Sequence, residues 1–361
     1  MMVLSLITSV LFMCFQMPDN RRHHESCVLV KHTFADPDDS LEIINLVECQ
    51  SPNGLTNWFS SDIKKSVCTS KQCKMLNVRL FWDGVGNYHH LELIDNEPLT
   101  KTDHTEFNAD DYDKLNSILS DSLSVFRDLQ MEDLVIEKRS DVDGVSGATS
   151  KSLTDYVVRD AVYTCYTLWH TVYGTSKNNI HALLKQRVDK DYLRKLFDRN
   201  DPVTDIWALN TMISNPEYAA PFFDKLIVKI ASGNDITSSL ALRAISPRNL
   251  NSEALQKKLA NQISKADDLK KLDIIWKLND CPVVYDAVIM QLLHDYQKGI
   301  ITPAALQYVY KMISGKNMLN PDIAKKLQEF RTDKNRYIRD ITDKLLITTE
   351  AKNQRQPRRT D

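Results

Sequence analysis

Glycine is scarce in this chain, 9 residues in 361, so two glycines placed three apart ask for a reason. Net charge is nearly absent as well. The formal value of −2 gives the molecule no overall electrostatic pull toward nucleic acid or an anionic membrane. No fingerprint of a Ser-His-Asp hydrolase, a P-loop or a dinucleotide site is present, which argues against hydrolase and nucleoside-triphosphate chemistry. No CxxCH occurs, which argues against an attached c-type haem. What is present is ordinary folded composition. With 42% hydrophobic and 26% charged residues the chain is not of the disordered class, and it is long enough for two domains, each with its own core.

The N-terminus, MMVLSLITSVLFMCFQMPDN, is apolar from Met1 to Met17 and then turns polar. That length suits the core of a secretion signal better than a full membrane span, although no Lys or Arg precedes it. Export is the expectation. Cys14 is a lipid-attachment alternative, with Met13 larger than the small residue wanted before it. The tail KNQRQPRRT (352–360) reads as a solvated end rather than a binding arm. Setting Cys14 aside, Cys27, Cys49, Cys68, Cys73, Cys165 and Cys281 remain. Cys68 and Cys73, in CTSKQCK, are close enough to bridge if the segment turns, and an oxidising compartment permits it. An inert pair, a redox-active pair and a metal site stay open beside that reading. For the metal, His89, His90, Asp103 and His104 are available but show no recognised spacing.

Four regions follow from the pattern: a leader at 1–26, an α+β domain at 27–174, a helical-repeat domain at 175–350 and a disordered basic tail at 351–361. Residues 27–67 alternate short apolar runs with Pro, Asp, Asn and Ser and receive no assignment. NVRLFWDGVGNYHHLELI (77–94) reads as a hairpin, with Val78, Leu80 and Trp82 on one face and Asp83-Gly84 and Gly86-Asn87 as turn. His89 and His90 are expected as ordinary strand residues, one on each face. FNADDYDKLNSIL (107–119) reads as a helix capped by Asn108, and DLVIEKR (133–139) as a strand. Leu153, Tyr156, Val157, Ala161, Cys165, Leu168, Trp169 and Val172 make the stripe of a long helix that Gly174 stops. After GTSKNN (174–179) the chain shows no strands, only short amphipathic helices. Similar helix starts in LNSEALQKKL (249–258), CPVVYDAVIMQLL (281–293) and LNPDIAKKLQEF (319–330) give the 30–40-residue spacing of HEAT-like pairs.

Between strand and long helix lies DVDGVSGATSKS (141–152), with Gly144 and Gly147 three apart. Gly147 lets the backbone turn sharply and lets a bulky group approach. Ala148 keeps the next position small. Thr149 then offers a hydroxyl at the expected N-terminus of a helix starting near Ser150, where free N–H groups and the dipole favour a phosphate. A plain glycine turn with a hydroxyl cap is the structural alternative.

DGVSGAT (143–149) resembles the attachment motif of FMN-binding domains: an Asp, a short variable spacer, then [ST]-G-A-[TS]. Such domains occur in flavin-carrying subunits of the Rnf and sodium-pumping NADH:quinone reductase complexes and in related exported proteins. The resemblance spans roughly residues 70–175 and takes in PLTKTDHTEFNADDYDKLNSIL (98–119). It implies that the Thr149 hydroxyl is esterified to the phosphate of FMN by a separate ApbE-type flavin transferase. Asp143, Ser146, Gly147 and Ala148, with Ser150 beside them, would form the recognised turn. The hairpin follows the family only loosely, so ring contacts do not carry over. Trp82, Tyr88 and Trp169 are candidates for stacking on the flavin, with core packing as the alternative. The implied function is an exported electron carrier for a redox partner or membrane electron-transfer complex, docked through the helical region. Two other readings stand beside it. One is a scaffold with a vestigial flavin domain. The other is an oxidoreductase with its own substrate, using His89, His90, His104 or the Cys68–Cys73 pair.

Overall fold

The structure is a computed structural model and describes residues 27–35, 43–67, 74–136, 148–149, 153–316 and 319–355. They fall into two compact units divided between Gln186 and Arg187.

Five antiparallel strands open the first unit: β1 (Val28–Ala35), β2 (Ile43–Gln50), β3 (Thr56–Lys65), β4 (Leu76–Asp83) and β5 (Tyr88–Leu93), paired in chain order. Alternation sets the faces. Leu76, Val78, Leu80 and Trp82 of β4 are buried together with Leu46 and Phe59 from the neighbouring strands. The β4–β5 turn is the one the sequence announces. Gly86 takes φ +89°, and a Cβ on Gly84 would collide with the Thr56 carbonyl. The Asp83 carboxylate ties the loop by accepting from the backbone N–H groups of Val85 and Asn87. Three of the five strands come from the region the sequence pattern does not assign. The edge strand β1 explains part of that, since Val28 and Leu29 are exposed and the apolar alternation has no buried face to report.

α1 (Ala109–Ser120) begins at an Asn108–Asp111 capping box, and α2 (Val162–Tyr173) packs against it. Trp82 donates from Nε1 to the Val172 carbonyl at 3.1 Å, joining β4 to α2. α3 (Thr175–Arg187) starts directly after Gly174, within GTSKNN, and buries Ile180 and Leu184. Ile180 and His181 press on Gly86, so this helix belongs to the first unit and the division falls one helix later than the sequence places it.

The second unit contains helices and no strand among the described residues. They are α4 (Lys190–Asp198), α5 (Pro202–Ser214), α6 (Phe223–Ser232), α7 (Asp235–Ala244), α8 (Glu253–Ala260), α9 (Asp268–Asn279), α10 (Asp286–Gln297), α11 (Pro303–Ser314), α12 (Pro321–Phe330) and α13 (Arg336–Arg355). Each even-numbered helix packs on the odd one that follows it. The odd helices also pack in series from α5 to α13, and the even ones from α6 to α12, which makes two ladders. The odd helices start 33, 33, 35 and 33 residues apart. Asp201, Asn234, Asp267, Thr302 and Asn335 each accept a backbone N–H at those starts. α13 runs on to Arg355, so the expected disordered tail is helical over 351–355; 356–361 lie outside the described residues. No described helix is long and apolar enough to cross a membrane.

Candidate functional site

The glycine–hydroxyl turn is described only at its end. Ala148 and Thr149 form the short strand β7 (Ala148–Thr149), antiparallel to β6 (Val135–Ile136), with Val135 opposite Thr149. Asp143, Ser146, Gly147 and Ser150 lie outside the described residues, as do Cys68 and Cys73. The expected helix start near Ser150 is overturned. Residues 153–160 form turns, and α2 begins only at Val162. Of the expected stripe, Leu153, Val157 and Ala161 are buried, since a wound segment buries them as well as a helix does, but Tyr156 is exposed. Asp160 is the break: it takes φ +57°, and its carbonyl accepts from both the backbone N–H and the hydroxyl of Thr102. A helix dipole therefore does not begin at Thr149, and that electrostatic argument for a phosphate falls away.

The true N-terminus of α2 opens on a small cavity of about 30 Å³ lined in part by Leu99, Lys101, His104, Lys74 and Thr164. That is room for a water molecule and not for a flavin ring system. Its lysines are committed, Lys101 to Asp111 at 2.8 Å and Lys74 to Glu97 at 3.2 Å. Burial pushes Asp111 up, yet Lys101 and the Asn108 N–H together hold its carboxyl below the ordinary range. The cavity includes neither His89 nor His90.

Those two histidines are on β5, where Phe81 opposes His90 and Trp82 opposes Tyr88, so His89 is the extra residue of a β-bulge. The bulge cancels the expected one-per-face placement. The Nδ1 atoms stand 2.6 Å apart, and His90 stacks on Phe81 at 4.4 Å. Among the described residues, no three His, Cys, Asp or Glu side chains gather to hold a metal ion.

The aromatic candidates for flavin stacking are in the protein's own packing. Trp82 is fully buried, and Trp169 donates from Nε1 to the Asp121 carbonyl at 2.9 Å. The Tyr88 hydroxyl donates to Asn116 at 2.6 Å, and burial, then the neighbouring Tyr173, push it above the ordinary phenol range. Cys165 and Cys281 are buried thiols, pushed up to about 12 and about 11 by burial, which disfavours the reactive thiolate.

Sequence reasoning missed two features of the sheet. Cys27 pairs with Cys49 in a disulfide that ties the start of β1 to β2. One residue away, Glu48 is fully buried and accepts from Thr56 Oγ1 at 2.5 Å and Gln50 Nε2 at 3.0 Å, with His32 Nε2 at 2.8 Å. A carboxylate inside the apolar run LVECQ was the available signal, since a buried charge requires partners. Which partners it finds depends on three strands coming into register.

No protein-family model, curated protein or solved structure matches this chain.

Proposed function

We propose that this is an exported flavoprotein that carries FMN as a phosphoester on Thr149 and works in electron transfer, with a HEAT-like helical unit docking its partner. The observation that carries the reading is the complete motif Asp143 to Thr149. Its last residue pairs through the backbone with β6. Thr149 would supply the ester oxygen, and Asp143, Ser146, Gly147 and Ala148 the recognised turn, with Ser150 following. The flavin, when bound, supplies the redox chemistry, and the chain positions it and tunes its surroundings. Covalent attachment suits a compartment where free FMN is lost. The Cys27–Cys49 disulfide supports such an oxidising location. The alternating helix pairs at 33–35-residue intervals support the HEAT-like reading of the second unit.

The test is co-production with an ApbE-type flavin transferase. The chain is expected to keep flavin absorbance through denaturing gel filtration, and Thr149→Ala to lose it. Wild-type protein that releases all its flavin on denaturation would contradict covalent attachment.

A second reading, a binding protein without flavin, is favoured by a row of exposed apolar residues on the second unit.

A further inference from the structure

The second residue of each odd-numbered helix in the second unit forms a series: Val203, Ile236, Leu269, Ala304 and Tyr337. All five are exposed, the four large ones at 42%, 63%, 62% and 45%. Seven residues further on, and so on the same helix face, come Asn210, Arg243, Trp276, Lys311 and Lys344, with three cations and no acid among them. Adjacent rungs touch along this face. The Trp276 and Tyr308 rings meet edge to face at 5.7 Å, Lys311 lies over Tyr308, and the Tyr337 hydroxyl reaches Gln307. At Ala304, the small member of the row, a crevice of about 160 Å³ opens between α9 and α11, lined in part by Leu272, Ala304, Ala305 and Tyr308. That is about the size of a cavity that holds a benzene ring.

We propose that this face binds an extended, polyproline-II-like segment of a partner protein, with an apolar side chain at every third residue and acidic residues between. The proposal deepens the docking half of the proposed function and does not depend on the flavin. Spacing selects the conformation. Packed helices lie about 8–10 Å apart, so the apolar row repeats at about that interval. Three residues of polyproline II advance about 9.3 Å and return to the same face. A β-strand advances about 10 Å in three residues but turns its side chain to the opposite face. An α-helix needs seven residues, about 10.5 Å, and drifts about 20° at each step, so it leaves the row within a few rungs.

Charge selects the acid. Arg243, Lys311 and Lys344 form no ion pair among the described residues. Of the carboxylates described on the odd helices, Asp205, Asp235, Asp268, Asp340 and Asp343 pair with Lys229, Lys270, Lys271, Arg336 and Arg331, which leaves Asp273 against the three cations. The crevice at Ala304 receives one apolar anchor, and the exposed aromatics supply the walls that such segments dock against.

The experiment uses the full chain and a labelled peptide of five Leu-Pro-Glu triplets, read by fluorescence anisotropy. Two controls replace Glu with Lys, or lengthen the apolar spacing to four residues. The triplet peptide is expected to bind at least about tenfold tighter than either control. The triple variant Arg243→Glu, Lys311→Glu, Lys344→Glu is expected to prefer the Lys peptide. Ala304→Leu, which fills the crevice, is expected to weaken binding of the Glu peptide about tenfold. All of these substitutions are at exposed positions, and far-ultraviolet circular dichroism checks that the fold is kept. The Thr149→Ala chain is expected to bind like wild type, so a failed flavin assay and a failed docking assay remain distinguishable. Absence of binding, equal binding of the control peptides, or an undiminished triple variant would overturn the proposal. So would self-association in sedimentation that Leu269→Ser and Tyr337→Ser abolish, because the occupant would then be a second copy.

Discussion

Glu48 ties β1, β2 and β3 together through its side chain. It sits between β1, β2 and β3 with no exposure, and its oxygens are shared among His32, Gln50 and Thr56. Removing one member of such a buried cluster takes a partner from the others, at a cost of about 3 kcal/mol. Glu48→Ala is therefore expected to lower the stability of the first unit by about that amount, read as a shift in urea midpoint. Glu48→Gln, which keeps an acceptor for Thr56, is expected to lose less. An Ala variant as stable as wild type would show that the cluster is not holding the strands. The neighbouring Cys27–Cys49 disulfide closes a loop with a sequence separation of 22, for which chain entropy gives about 3 kcal/mol. Replacing both with Ser is expected to cost that much and to speed amide exchange in β1 before β4. The disulfide was not legible in the sequence, and Glu48 was legible only as a charge inside an apolar run. Cys68 and Cys73 attract attention by closeness in the chain, whereas Cys27 and Cys49 meet only once β1 pairs with β2.

Among the elements, α2 and α3 are expected to make the first unit sensitive to mild acid. His170 donates from Nε2 to the Phe126 carbonyl at 3.0 Å, and burial holds its pKa below the ordinary 6.5. His181 is pushed down too, by burial and then by the charge of Lys177. Between 6.5 and those lowered values the unfolded chain binds protons that the native one refuses, so stability rises with pH there. The first unit is expected to unfold at lower urea at pH 5.5 than at pH 7.5, and His170→Asn to narrow the difference. A midpoint that rises on acidification would contradict this sign. In the second unit, buried Gln256 on α8 donates to the Leu250 and Val283 carbonyls and accepts from the Tyr285 N–H, bracing one helix pair against the next. Gln256→Ala leaves those buried groups unpaired and is expected to cost about 2–3 kcal/mol in thermal or urea unfolding. Elements carried by strong local chemistry were legible: the β4–β5 turn through Asp83 and Gly86, and α1 through Asn108. The start of α2 was not. The apolar spacing of Leu153, Val157 and Ala161 serves a helix and the wound segment alike, and the tie between Thr102 and Asp160 that decides between them is tertiary.

At the scale of the whole molecule the sequence separates a mixed strand-and-helix half from an all-helical half, and the structure has that order. Helical periodicity is local, which is why α8, α10 and α12 are legible in LNSEALQKKL, CPVVYDAVIMQLL and LNPDIAKKLQEF. Exposed members of the pattern are harder to recognise. Val203, Ile236 and Leu269 resemble core residues until the ladder shows that they face outward. The proposed attachment motif is the opposite case: legible as a string, with Asp143, Ser146 and Gly147 outside the described residues and only Ala148 and Thr149 placed. The central claim, a covalent flavin on Thr149, is tested most directly by peptide mass spectrometry of the chain co-produced with a flavin transferase, beside Thr149→Ala. The account predicts a gain of one FMN less one water on the peptide holding Thr149, absent from the variant. An unmodified Thr149 peptide, or a flavin mapped to another residue, would contradict it.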